Sequence, residues 1–205
     1  MSDVFYVVGV ALLYGCAAFL TIGWVSSLCD KIVPFDDGPK PGRPPTIALV
    51  IGTTILGGLL ASRGISLPEV GLFAVLLVSL AACWYSDVRC GIVPDYFTLG
   101  PLALVLGVGV AAHNFMPIVS AVIVFLPFAL AAVFSKGRGM GWGDVKLVAL
   151  GAAVLGLNAS ILAFASACLV AVAVAAIRKR RTEPIAFAPY LAAAIAGAVT
   201  ITVYS

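Results

Sequence analysis

The sequence predicts an all-α fold, a polytopic membrane helix bundle of about eight spans with both termini outside. Three observations point there. First, the 205-residue chain is 62% hydrophobic and 10% charged, with a mean hydropathy of +1.16; soluble domains run nearer half apolar and a quarter charged. Second, its charges divide it into seven long uncharged runs, and a membrane-crossing helix needs about 20 predominantly apolar residues. Third, nearly all basic residues fall on one side of the resulting alternation. This composition excludes a water-soluble globule and a disordered tail. A net charge of +3 on such a chain is no basis for binding nucleic acid. The expected partner is the lipid bilayer.

The runs are 4–28, 46–62, the stretch between Glu69 and Asp87, 96–112, 114–135, 147–177 and 184–205. Six of them fit one helix each. The sixth, 147–177, is long for one straight span and short for two. Lys and Arg collect in cytoplasmic loops, and that rule decides the matter. With a turn near Gly156, Leu157 and Asn158 the chain has eight spans. The odd-numbered loops then hold Lys31, Lys40, Arg43, Arg89, Lys136, Arg138, Lys146, Arg178, Lys179, Arg180 and Arg181, leaving only Arg63 across the membrane. A single pass would move the last four basic residues to the other side. One consequence is a short sixth span. Residues 144–157 rise only about 21 Å as a helix, against about 30 Å of hydrocarbon, so either this helix begins below the surface or it does not cross fully. The N-terminal run lacks a positive n-region and is too long for a signal peptide; it reads as a retained helix.

The connector 29–45 carries Pro34, Pro39, Pro41, Pro44 and Pro45 and is expected to be irregular. None of Cys16, Cys29, Cys83, Cys90 and Cys168 forms a CxxC pair, so no metal site is expected. Three of the five cysteines fall inside helices as packing residues. Cys29 and Cys90 fall on the cytoplasmic side, where thiols stay reduced. His113, the lone histidine, lies at the outer end of a span and reads as structural, which leaves the cytoplasmic face without a Ser-His-Asp or Cys-His system. The three tryptophans, Trp24, Trp84 and Trp142, fit an aromatic belt.

Three acidic residues adjoin apolar helices on the cytoplasmic side: Asp87, Asp95 and Asp144. Ionisable groups at membrane depth are costly and usually functional, although an aspartate at a helix end can simply cap it, as Asp144 before Val145 could. Alternating Gly137, Gly139, Gly141 and Gly143 precede Asp144 and would let another backbone come close. There is no GxxxxGK[ST] and no strand–turn–helix context for a nucleotide cradle. Asp87 and Asp144 together suggest a reaction. Two carboxylates a few ångströms apart share a proton, so one can act as base on a water while the other protonates the carbonyl oxygen or leaving amine.

At these residues the chain resembles the prepilin peptidases, GxGD-type membrane aspartic proteases. Gly141-Trp142-Gly143-Asp144, followed by Val145 and Lys146, matches the GxGD motif. Asp87 followed seven and eight residues later by Pro94 and Asp95 matches the family's first aspartate. Ile185-Ala186-Phe187-Ala188-Pro189 is similar to the start of the family's last helix. The likeness runs from about residue 70 to 205. It divides the chain into two N-terminal helices, 1–68, and a six-helix catalytic core, 69–205.

The resemblance implies that Asp87 and Asp144 are the catalytic dyad, supported by Gly141, Gly143, Lys146, Pro94 and Asp95, with no cofactor. It implies a substrate that is a pilin, pseudopilin or Tad/Flp fimbrial precursor, a short basic leader followed by a hydrophobic helix. Cleavage would fall at the cytoplasmic boundary of the bacterial inner membrane. Larger members carry two CxxC pairs after the first helix, and many also methylate the new N-terminus. Here that loop is short and lacks CxxC, and methylation is not assigned. Some members have a second acidic residue two positions after the first aspartate, where this chain has Arg89. Lys146 reads first as a marker of the cytoplasmic side, with pairing to a carboxylate as the other reading. Asp95 reads as a helix cap before a third catalytic acid. Competing readings are a transporter or structural subunit using the aspartates as ion ligands or caps, and a presenilin-type protease, whose first aspartate typically lies mid-helix after a tyrosine. Oligomeric state stays open.

Overall fold

The computed structural model describes residues 2–32, 46–134, 141–177 and 186–204. Every regular element among them is an α-helix: α1 (Ser2–Ile32), α2 (Thr46–Ala61), α3 (Leu67–Cys90), α4 (Tyr96–Ala111), α5 (Met116–Phe134), α6 (Trp142–Ile177) and α7 (Ala188–Tyr204). Each expected apolar run is thus a helix. In lipid the backbone must satisfy its own hydrogen bonds, and a helix does so within one segment. Four helices, α1, α3, α5 and α6, are long and apolar enough to cross a membrane, while α2, α4 and α7 are shorter apolar helices. Most of the proline-rich connector, the glycines at 137 and 139, the basic cluster 178–181 and Ile185 lie outside the described residues.

α6 is two rods. Gly156 sits at φ 74°, ψ 177°, a conformation only glycine takes readily. The ring tip of Phe164 stands 2.9 Å from where a Gly151 Cβ would be. Thirteen positions along a straight helix would separate these residues by about 20 Å, so the arms 142–155 and 157–177 fold back on each other. The reversal falls where the basic-residue pattern placed a turn.

Among the described residues a main core runs through the bundle, with a small second cluster of Val105, Ala121 and Ala153 between α4, α5 and α6. The main core takes Tyr14, Ile22 and Val25 from α1, Leu49 and Leu60 from α2, Leu76, Leu77 and Leu80 from α3, Leu147 and Leu150 from α6, and Leu191 and Ile195 from α7. α6 packs on α5 and α7, α1 on α2 and α3, and α3 on α7. The Tyr14 hydroxyl donates to the Val70 carbonyl at 2.6 Å, which ties the first helix to the start of the third. Many remaining large apolar side chains point outward, among them Phe5, Leu20, Ile47, Leu162, Leu169 and Ile201, as expected of a surface whose solvent is hydrocarbon.

α3 has defined ends. At its start the Glu69 carboxylate accepts from both the backbone N–H and the hydroxyl of Ser66, at 2.7 and 2.8 Å, closing a capping box. At its finish Gly91 turns left-handed (φ 65°) and donates its N–H to the Asp87 carbonyl at 2.9 Å. Asp87 therefore stands one turn from a fixed helix end.

Candidate active site

One helix end and two helix starts converge on Asp87 and Asp144. Asp87 lies in the last turn of α3, half-buried, and its Oδ2 accepts from the backbone N–H of Ala188 at 3.2 Å. Ala188 is the first residue of α7, and such N-terminal N–H groups have no partner within their own helix. Pro189, the next residue, fits there because a first-turn proline removes a donor that would be idle anyway. The similarity at the last helix thus has a physical counterpart.

Asp144 sits in the first turn of α6. It is not the helix cap, because the helix already begins at Trp142. Its Oδ1 is buried and has no hydrogen-bond partner among the described residues, while Oδ2 lies beside Gly141. Asp144 is within electrostatic range of Asp87, and the buried Cys83 thiol is within range of both carboxylates. Cys83 is one helical turn before Asp87 and donates to the Phe97 carbonyl at 3.8 Å. It was expected to be simple packing; its i, i+4 relation to Asp87 was the signal that set it beneath the carboxylates.

Gly143 explains the second glycine of the motif. A Cβ there would fall 2.7 Å from Val93 Cβ, closer than side chains pack, so only glycine lets α6 approach the turn between α3 and α4. Val93 is a site residue that sequence reasoning did not single out, since an isolated valine carries no pattern. Gly141 shows no comparable constraint: its Cβ would make an ordinary 3.6 Å contact with Asp144 Oδ2.

Several expectations change. Asp95 occupies the N-cap position of α4 but makes no side-chain cap bond. Its Oδ1 instead accepts from Lys146 Nζ at 2.5 Å, so Lys146 pairs with a carboxylate rather than merely marking a membrane side. Both corrections have one cause, since the close approach at Gly143 brings Lys146 within reach of α4. Pro94 shapes the same turn, its carbonyl accepting from Phe97 N–H at 3.1 Å. Arg89, where some family members carry an acid, turns toward α1. It donates to Ser26 Oγ, to the Tyr85 hydroxyl at 2.6 Å and to Asp30 Oδ1 at 2.5 Å. Cys29 and Cys90, expected as separate thiols, form a disulfide that joins the last turns of α1 and α3, with Cα atoms 6.2 Å apart. The adjacent Arg89–Asp30 pair brings those turns together. His113 lies in the turn between α4 and α5 at φ 53°.

Fold and site together define a membrane helix bundle with a recessed pair of aspartates contributed by two separate helices. Residues 74–177 match the model of the type IV leader peptidase family, a stretch that contains both aspartates. Two curated relatives, each a prepilin leader peptidase/N-methyltransferase, from Burkholderia pseudomallei strains 1026b and K96243, are each 34% identical over 177 residues, covering 80% of this chain and 55% of the relative. The chain belongs to the type IV leader peptidase family. It spans about half the length of the curated relatives it matches. No solved structure matches it significantly.

Proposed function

We propose that the protein is a membrane aspartic endopeptidase that removes the leader from type IV prepilin-like precursors at the cytoplasmic boundary of the bacterial inner membrane. The precursor would be a pilin, a pseudopilin or a Tad/Flp fimbrial subunit. Family membership supports the peptidase class. The observation that carries the reading is the approach of Asp87 and Asp144, two carboxylates from distant segments, into electrostatic range at the mouth of an apolar bundle.

In this reading one carboxylate takes a proton from a water as its oxygen attacks the scissile carbonyl carbon, and the other gives a proton to the carbonyl oxygen. The tetrahedral intermediate then collapses. The C–N bond breaks, the leaving nitrogen is protonated, and the products are a free leader carboxylate and a new N-terminal amine. The backbone N–H of Ala188 fixes the Asp87 side chain for this work. The buried Cys83 thiol donates to the Phe97 carbonyl rather than to either carboxylate. The methyl transfer named in the relatives is not assigned to this chain.

Co-expression with a prepilin tests the reading. Asp87→Asn and Asp144→Asn, each inserted in the membrane at the wild-type level, leave the precursor uncleaved. Full processing by either variant rejects the dyad and favours a non-enzymatic membrane role. A cut deep within the substrate helix, rather than at its cytoplasmic boundary, would favour a presenilin-type protease.

A further inference from the structure

We propose that the Asp95–Lys146 ion pair is a positioning latch for the reaction inferred above. With the Val93–Gly143 contact it clips the start of α6 to the turn after α3 and sets where Asp144 stands relative to Asp87. The inference rests on the dyad reading and goes beyond it, because neither side chain of the pair touches the reacting carboxylates in the structure.

The geometry is compact. Asp87, Val93 and Asp95 lie on one short segment that runs out of α3, round the Gly91 turn and into α4. Gly143, Asp144 and Lys146 lie within the first five residues of α6. The two segments touch twice, backbone to side chain at Gly143 and Val93, and charge to charge at Lys146 and Asp95, 2.5 Å. Residues two apart on a helix do not face the same way. Asp144 therefore points toward Asp87 while Lys146 points away from it, to the α4 side.

The burial pattern says what the pair is for. The lower part of α6 is held in the bundle by Val145, Leu147, Val148 and Leu150, all fully buried. Apolar burial is non-directional; it holds a helix in place without fixing its rotation or height to a fraction of an ångström. The ion pair is partly exposed, with side chains 28% and 59% accessible, and such pairs contribute little to stability. A contact that adds little to folding yet fixes a direction, two residues from a reacting group, acts on geometry. Catalytic rates are sensitive to that, since a displacement of about 1 Å can cost roughly a hundredfold.

The test uses the purified full chain in detergent micelles, with a synthetic precursor that has a short basic leader followed by an apolar helix. Asp95→Asn and Lys146→Met are each expected to lower kcat by roughly tenfold or more with KM changed less than about threefold, the signature of an interaction that matters in the transition state. Thermal unfolding midpoints stay close to wild type. The reversed pair Asp95→Lys/Lys146→Asp recovers most of the lost kcat. Wild-type kcat in both single variants, loss carried mainly by KM, or a reversed pair no better than the singles would overturn the latch. If the reversed pair does not fold, Lys146→Arg replaces it. Activity kept with arginine and lost with methionine supports the latch, and equal loss in both overturns it. Asp144→Asn in the same assay separates the two levels. If it cleaves at the wild-type rate the dyad reading has failed, whatever the latch variants do.

Discussion

Asp87 and Asp144 are supported by different kinds of structure. The α3 end that carries Asp87 is gripped from several sides. Ala188 N–H binds its carboxylate, Gly91 N–H caps its carbonyl, and Arg89 and Cys90 tie the same turn to Asp30, Ser26 and Cys29 of α1. The α6 start that carries Asp144 is held by apolar packing of Val145, Leu147 and Val148 in the bundle and by the turn between α3 and α4, through Val93 and Asp95. Asp144 Oδ1 is buried without a partner among the described residues. One aspartate is anchored by hydrogen bonds to the frame; the other is placed by the fit of its helix. Buried polar atoms without partners are uncommon and tend to mark function.

That contrast can be tested from its largest expected consequence to its smallest. Asp87→Asn or Asp144→Asn should lower kcat by about 10²–10⁴-fold, the span of general acid–base catalysis, measured on purified protein whose unfolding midpoint is unchanged. Gly143→Ala strikes the fit itself. Its new Cβ would meet Val93 Cβ at 2.7 Å, costing ~1–3 kcal/mol of overpacking, and cleavage should fall with it. Val93→Gly added to Gly143→Ala opens the space again and should restore part of the rate. Arg89→Met loosens the anchored side and should lower stability by about 1–2 kcal/mol, since it removes bonds made by a partly exposed guanidinium. Its effect on cleavage should be smaller than that of Gly143→Ala, because Ala188 and Gly91 still hold Asp87. Gly91→Ala should be the mildest. The space around Gly91 is open, but its φ of 65° strains any other residue by about 1 kcal/mol, visible as a small fall in unfolding midpoint.

Much of this was legible in the sequence because lipid imposes simple rules. Uncharged runs had to become helices, and they did. The distribution of basic residues located the reversal in 147–177, where the only local signal was Gly156 next to an asparagine-containing turn. Asp87 and Asp144 stood out because carboxylates are scarce among so many apolar residues. The side-chain partnerships were not legible. Lys146 could pair or mark a membrane side, and only the closeness of α6 to the α3–α4 turn, permitted by Gly143, decided for Asp95. Arg89 turned to α1 because Asp30, Ser26 and Tyr85 converge there, which no spacing within one segment could state. Val93 and Ala188 offered no chemistry to notice: one contributes bulk and the other a backbone N–H.

The claim beneath all of this is that the last turn of α3 and the first turn of α6 bring residues 87 and 144 together in the folded membrane protein. Cysteine cross-linking in membranes tests it most directly, in a background where the native cysteines are replaced and Asp87→Cys is combined with Asp144→Cys. The Cα atoms of residues 87 and 144 stand more than 8 Å apart, beyond direct disulfide reach, so a short flexible bismaleimide is the probe. It should join the two rapidly, while Asp87→Cys paired with Leu169→Cys, on the outward face of the second arm of α6, should stay unlinked. Thiols at 87 and 144 that each react with a small alkylating reagent yet never join would contradict the account.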